Sequence, residues 1–120
     1  MAKALPKVAL FGANGQLGNI VLQNLSKLNV PKINCLIRQS ATRLKDSELV
    51  NNVIVGDCSN VNDCRKVCKD VDIAISTITP PPTSKNFVNE LVFGTKNIIE
   101  AAKSSGVERV IIVGGAGGME

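Results

Sequence analysis

The sequence predicts an α/β protein, a doubly wound parallel sheet of about five strands in the order 3-2-1-4-5. Three observations predict it. Short apolar runs rich in β-branched residues alternate with stretches whose apolar residues recur at helical spacing. The runs are nearly continuous in apolar character, Val110-Ile111-Ile112-Val113 above all, as expected of strands covered on both faces. A glycine cluster, Gly12, Gly15 and Gly18, stands where the first strand gives way to the first helix.

Taken in order, residues 7–12 read as the first strand. From 15 to 28, apolar residues recur at Leu17, Ile20, Val21, Leu25 and Leu28, a helical stripe. Pro31 breaks the chain before a second strand at 33–37. Residues 40–50 are polar and read as either a short helix or a loop. A third strand spans 52–56. A helix follows at 61–69, with Asn60 as its cap and Asp63 in its first turn. The fourth strand covers 71–77, and Pro80, Pro81 and Pro82 then mark a loop. Residues 85–104 carry the longest helical pattern, with Phe87, Leu91, Gly94, Ile98 and Ala101 on one side. Val88, Val92, Ile99 and Ala102 widen that face. Gly106 ends the helix, and residues 108–113 form the fifth strand. A length of 120 residues suits one domain, and no internal repeat or linker is visible.

Composition removes several function classes. Apolar residues make up 44% of the chain but include three Phe and no Trp or Tyr, so the core must be aliphatic. Charged residues, at 20%, are too few for a disordered chain. The net charge of +4 comes from 14 basic and 10 acidic residues spread without a run, and with so few aromatics this argues against a nucleic-acid partner. The early apolar stretch at 8–11 is too short for a secretory signal, and no apolar segment approaches a membrane span. The chain therefore reads as soluble, intracellular and cytoplasmic, with no membrane partner. Four cysteines without a single histidine are a weak basis for a metal site. Cys64 and Cys68 share a helical face with Val61 and Val71, where cysteine serves as a small hydrophobe. Cys35, inside an apolar strand, reads the same way; a redox or metal role is the alternative. The last helix, apolar almost all round, offers a face for a homodimer, although burial within the monomer accounts for much of it.

The candidate site starts at the loop Gly12-Ala13-Asn14-Gly15-Gln16-Leu17-Gly18. Gly12 permits a tight turn out of the strand, Gly15 lets the backbone approach a pyrophosphate, and Gly18 lets the helix pack close to the sheet. A pyrophosphate would rest on unpaired N–H groups at the helix start, where the dipole favours negative charge. The bland reading is a turn-and-helix junction, which needs fewer than three glycines in phase. Twenty residues past Gly18, where an NAD site carries an acid for the ribose 2′-hydroxyl, stands Arg38. A guanidinium pairs with a 2′-phosphate, which a carboxylate would repel, so NADP(H) is expected over NAD(H). Arg43 is a candidate helper; an exposed arginine ending a strand is the alternative. Asp57, after the third strand, either accepts a hydrogen bond from the adenine amino group or caps a turn. Ser76 and Thr77, ending the fourth strand, lie either near the nicotinamide ribose or against local backbone.

These residues resemble the short-chain dehydrogenase/reductase superfamily, in particular its atypical NAD(P)H-binding branch with the NmrA-like and flavin/biliverdin reductase types. Four segments carry the resemblance: residues 8–18, Leu36-Ile37-Arg38, Val55-Gly56-Asp57, and residues 94–103 with the Gly106-Val107-Glu108-Arg109-Val110-Ile111 that follows. It implies a Rossmann-type fold and the same roles for Gly12, Gly15, Gly18, Arg38 and Asp57, and it adds Leu17 as a residue lying against the cofactor. It also exposes departures. The superfamily's proton donor is a Tyr followed four residues later by Lys, and this chain has no Tyr. Where a supporting Ser is usual after the fifth strand, Gly114, Gly115, Ala116, Gly117 and Gly118 stand. The resemblance is to the cofactor-binding half of such a protein, cut after the fifth strand. The catalytic residues are unknown from sequence, as is the small-molecule substrate. Hydride transfer to a flavin or quinone needs no dedicated protein acid, so a reductase is expected. The alternatives are a non-catalytic NADP(H)-binding regulator of the NmrA-like kind and a fragment related to sugar-nucleotide epimerases or dehydratases.

Overall fold

Alternation of strand and helix in the chain becomes, in the computed structural model, a single sheet with helices on both faces. The structure describes residues 6–12, 16–28, 30, 32–37, 52–78 and 85–113. They form β1 (Val8–Phe11), α1 (Gln16–Lys27), β2 (Ile33–Ile37), β3 (Asn52–Val55), α2 (Val61–Cys68), β4 (Ile73–Ser76), α3 (Phe87–Ser104) and β5 (Arg109–Ile112). The sheet order is β3-β2-β1-β4-β5 and every pairing is parallel, as expected from the alternation. The segment 40–50 and the proline loop at 80–82 lie outside the described residues.

Alternation of side chains across the sheet divides the core in two. Ala9, Phe11, Leu36 and Ala74 face α2 and α3, packing against Cys64, Val67, Cys68, Ile98, Ala101 and Ala102. Val8, Leu10, Ile33, Cys35, Ile37 and Ile75 face the other way, onto Leu22 and the half-buried Val21 and Leu25 of α1. Each side chain in these layers is aliphatic or small apart from Phe11, as the composition requires. Among the described residues the buried polar side chains are Ser76 and Thr77, at the end of β4, and Asn34 in β2. The Asn34 amide donates to the Val67 carbonyl at 3.2 Å and so satisfies one of the orphan acceptors at the end of α2. At the amino edge, the Asp72 carboxylate accepts the Lys7 backbone N–H at 2.9 Å, tying the entry of β1 to that of β4.

The helix ends follow from local chemistry. Asn60 caps α2, its side chain accepting the Asn62 N–H at 2.9 Å. α3 closes in a Schellman arrangement: Gly106 (φ +76°) donates to Lys103 and Val107 donates to Ala102.

Three expectations need correction. In α1 the buried face runs through Gly18, Val21, Leu22 and Leu25, while Leu17, Ile20 and Leu28 are exposed, Ile20 by 57%. Gly18 seats the helix against the sheet without contributing a side chain, so a stripe drawn through the large apolar residues is rotated from the true one. The run Val110-Ile111-Ile112-Val113 is not buried on both faces; among the described residues β5 is an edge strand, paired with β4. Ile112 is 45% exposed and Ile111 40%. In α3, Gly94, Ile98, Ala101 and Ala102 are buried as expected, but Val88, Val92 and Ile99 of the widened face are exposed.

Candidate functional site at the carboxyl edge of the sheet

Because all five strands run the same way, their carboxyl ends share one edge, and the candidate residues are drawn to it. Phe11 is in register with Leu36 on one side and Ser76 on the other, and Ser76 with Ile112. The chain leaves β1 towards β2 on one side, and β4 lies on the other. This is the switch point where crevices open in doubly wound sheets.

Gly12 and Thr77 meet at that point. Gly12 has φ +88°, a conformation glycine adopts without a Cβ penalty. A Cβ there would lie 2.9 Å from the Thr77 Oγ1 and 3.1 Å from the Thr77 carbonyl, so the closeness of the two loops depends on its absence. The Thr77 hydroxyl donates to the Phe11 carbonyl at 2.9 Å and lies 3.2 Å from that of Gly12, while the Thr77 N–H donates to Phe11 at 2.9 Å. Ser76 is buried, and its hydroxyl accepts the Ile78 N–H at 3.4 Å. Both hydroxyls bond backbone, that of Thr77 across to the end of β1 and that of Ser76 within its own turn.

Past Gly12 the chain enters α1. Asn14 and Gly15 lie outside the described residues. Gln16 is the first residue of the helix, Leu17 is exposed beside it, and Gly18 is buried towards the sheet. The first turn of α1 carries no acidic residue, so nothing there opposes an anion. Arg38 lies outside the described residues, but Ile37, which it follows, is the last residue of β2.

Asp57 stands on the same edge. The Gly56 N–H donates to Ile37 at 2.8 Å, so the turn after β3 is fastened to the end of β2 next to Arg38. Asp57 caps its own turn: one carboxylate oxygen accepts the Ser59 N–H at 2.9 Å. Sequence reasoning missed its partner. The Asp63 carboxylate, reaching back from α2, accepts the Asp57 N–H at 3.1 Å and fills the space where a Gly56 side chain would be. The only signal in the sequence was an acid in the first turn of a helix, which ordinarily serves the helix itself.

The arrangement defines a class: a parallel α/β sheet whose carboxyl edge gathers a glycine corner, an acid-free helix start and an acidic turn, as nucleotide-binding sheets do. A family model described as NAD(P)H-binding matches residues 12–119. The chain belongs to that NAD(P)H-binding family, and the short-chain dehydrogenase/reductase resemblance stands. Over 65 residues it is 34% identical to human sterol-4-alpha-carboxylate 3-dehydrogenase, decarboxylating, covering 52% of this chain and 17% of that protein. ChuY, an anaerobillin reductase from Escherichia coli O157:H7, superposes with a TM-score of 0.71 at 22% identity, covering 92% of this chain and 52% of that one. A mutant uronate dehydrogenase from Agrobacterium tumefaciens, in complex with NAD, gives a TM-score of 0.73 at 18% identity, covering 92% of this chain and 41% of the other. These two likenesses speak for the fold. The chain thus spans about half of the reductase's length and under a fifth of the human dehydrogenase's. Among the described residues, no helix is long and apolar enough to cross a membrane, and no group of three or more His, Cys, Asp or Glu is arranged to hold a metal.

Proposed function

We propose that this chain is the nucleotide-binding part of an NADP(H)-dependent oxidoreductase that passes hydride to a small-molecule acceptor. The observation that carries this reading is the Gly12–Thr77 corner at the switch point, directly before the acid-free start of α1, in a chain of the NAD(P)H-binding family. The corner fits a dinucleotide: the left-handed turn at Gly12 leaves the sheet edge there without a side chain in the way.

When bound, the nicotinamide supplies the hydride chemistry. The chain's own residues bind and orient. Gly12, Asn14, Gly15, Gln16 and Gly18 are assigned to the pyrophosphate loop, and Leu17, exposed on the first turn of α1, to an apolar contact with the cofactor. Asp57 is assigned to the adenine. Thr77 and Ser76 act by holding the carboxyl ends of β1 and β4 in place. The preference for NADP(H) over NAD(H) is supported by Arg38, which follows β2 where an acid would serve NAD. A non-catalytic NADP(H)-binding regulator is the second reading, favoured by the lack of any Tyr in the chain.

Titration with NADPH and, separately, NADH tests the reading. NADPH is expected to bind, NADH to bind poorly, and Arg38→Ala to weaken NADPH by more than about tenfold, roughly 1.4 kcal/mol. Equal affinities, or an indifferent Arg38→Ala, would remove the NADP assignment; no binding to a folded chain would remove the site. NADPH oxidation with a flavin or quinone acceptor separates the two readings, since the regulator binds without turnover.

A further inference from the structure

Three of the four cysteines gather at the back of the Asp57 turn. Cys58 follows Asp57 and is half-buried; Cys64 and Cys68 lie in α2 and are fully buried. All four cysteines of the chain are thiols. The Cys64 thiol points back to Cys58, its sulfur 3.8 Å from the Cys58 carbonyl oxygen. Cys58 is itself held: the Asn97 side chain donates to its carbonyl at 2.7 Å. A Cβ at Gly94 would come within 3.3 Å of the Cys58 Cβ, so α3 makes room for this residue.

Geometry closes the pairing of Cys64 with Cys68 and every pairing of Cys35, and peptide mapping separates Cys58–Cys64 from Cys58–Cys68. Cys64 and Cys68 are one turn apart on the same helix, where Cβ atoms stand about 5–6 Å apart, whereas a disulfide requires about 3.8 Å. Cys35 belongs to the core layer on the opposite face of the sheet.

We propose that Cys58 and Cys64 form a redox-active dithiol, a modification site in which a peroxide converts the pair to an intramolecular disulfide. Cys58 is the member that solvent reaches. Its sulfur attacks one peroxide oxygen, the O–O bond breaks, and sulfenic acid and one water result. The Cys64 sulfur then attacks the Cys58 sulfur; the S–S bond forms and hydroxide leaves, taking the Cys64 proton as a second water. Two thiols lose two electrons and hydrogen peroxide gains them.

The electrostatics agree. The hydrogen bond from Cys58 holds the Cys64 thiol below its ordinary pKa, outweighing burial and the nearby Asp63 and Asp57. Burial instead pushes Cys35 and Cys68 up to about 12. Of these three thiols Cys64 is the one most readily ionised, as suits the sulfur that closes the bond. The proposal stands apart from the cofactor assignment, since its readout is covalent.

The test is peptide mapping of the full chain after hydrogen peroxide, with blocking of remaining thiols. Cleavage before Asp57, before Asp63 and after Arg65 puts Cys58, Cys64 and Cys68 on separate peptides. The expected product is the Cys58 peptide joined to the Cys64 peptide, lighter by two hydrogens, with Cys35 and Cys68 unmodified and reversal by dithiothreitol. Cys58→Ser should abolish the link, and Cys68→Ala should leave it. A link through Cys68, a link only between chains, or Cys58 and Cys64 both recovered as blocked thiols overturns the proposal.

Discussion

At the scale of the residue, the site turns on one close approach. Gly12 and Thr77 are separated by 65 positions, yet a single added methyl at Gly12 would meet Thr77 main-chain atoms at 3.1 Å. Main chain cannot swing aside as a long side chain can. Gly12→Ala combines that crowding with a left-handed φ and is expected to cost at least about 1–3 kcal/mol, with loss of NADPH binding in the fraction that folds. Thr77→Val keeps the shape but removes the hydroxyl bond to Phe11. The Phe11 carbonyl keeps the Thr77 N–H, so the expected loss is only about 0.5–1.5 kcal/mol. Chemical denaturation of both variants measures this; a Thr77→Val as damaging as Gly12→Ala would show that the hydroxyl, and not the close approach, holds the corner. The roles of Gly12 and Gly18 were legible in the sequence because glycine placement has few explanations. The Asp57–Asp63 contact was not, because it depends on the path of the turn between them.

At the scale of the element, exposure rather than hydropathy decides which apolar residues matter. Ile98 and Ile99 are adjacent and chemically identical, but Ile98 is fully buried between sheet and α2 while Ile99 is 40% exposed. Ile98→Ala is expected to destabilise by about 2–5 kcal/mol and Ile99→Ala by about 0.5 kcal/mol or less. Thermal or denaturant unfolding distinguishes them, and comparable losses would mean that Ile99 is covered in solution, for example by a second copy of the chain. The register of α3 was readable because four small or branched residues, Gly94, Ile98, Ala101 and Ala102, line up at helical spacing. That of α1 was misjudged because its contact with the sheet passes through a glycine, which leaves no hydropathic trace.

At the scale of the whole molecule, two buried thiols sit in separate core layers, Cys35 on the α1 side and Cys68 on the α2–α3 side. Burial raises both from 9.0 to about 12, with the Cys64 charge adding to the rise at Cys68. The folded chain therefore keeps protons that the unfolded chain releases once the pH passes 9.0. This contribution to stability is complete below pH 9 and declines as pH rises towards about 12. The unfolding temperature is expected to fall from pH 9 upward, and to fall less steeply in a Cys35→Ala/Cys68→Ala chain. Parallel slopes in the two proteins would contradict the burial of these thiols.

By itself the sequence determined the fold class, the strand order, the left-handed turn at Gly12 and the termination of α3 at Gly106. Each is written in local chemistry: apolar periodicity, glycine where φ is positive, a polar cap at a helix start. Tertiary structure alone decided which face of α1 is buried, that β5 is half-exposed, that the Ser76 and Thr77 hydroxyls bond backbone, and that Asp63 and Cys64 turn back on Asp57 and Cys58. Those outcomes depend on which strands and turns become neighbours across the sheet, and a contact between neighbours distant in sequence leaves no periodic signal in either partner.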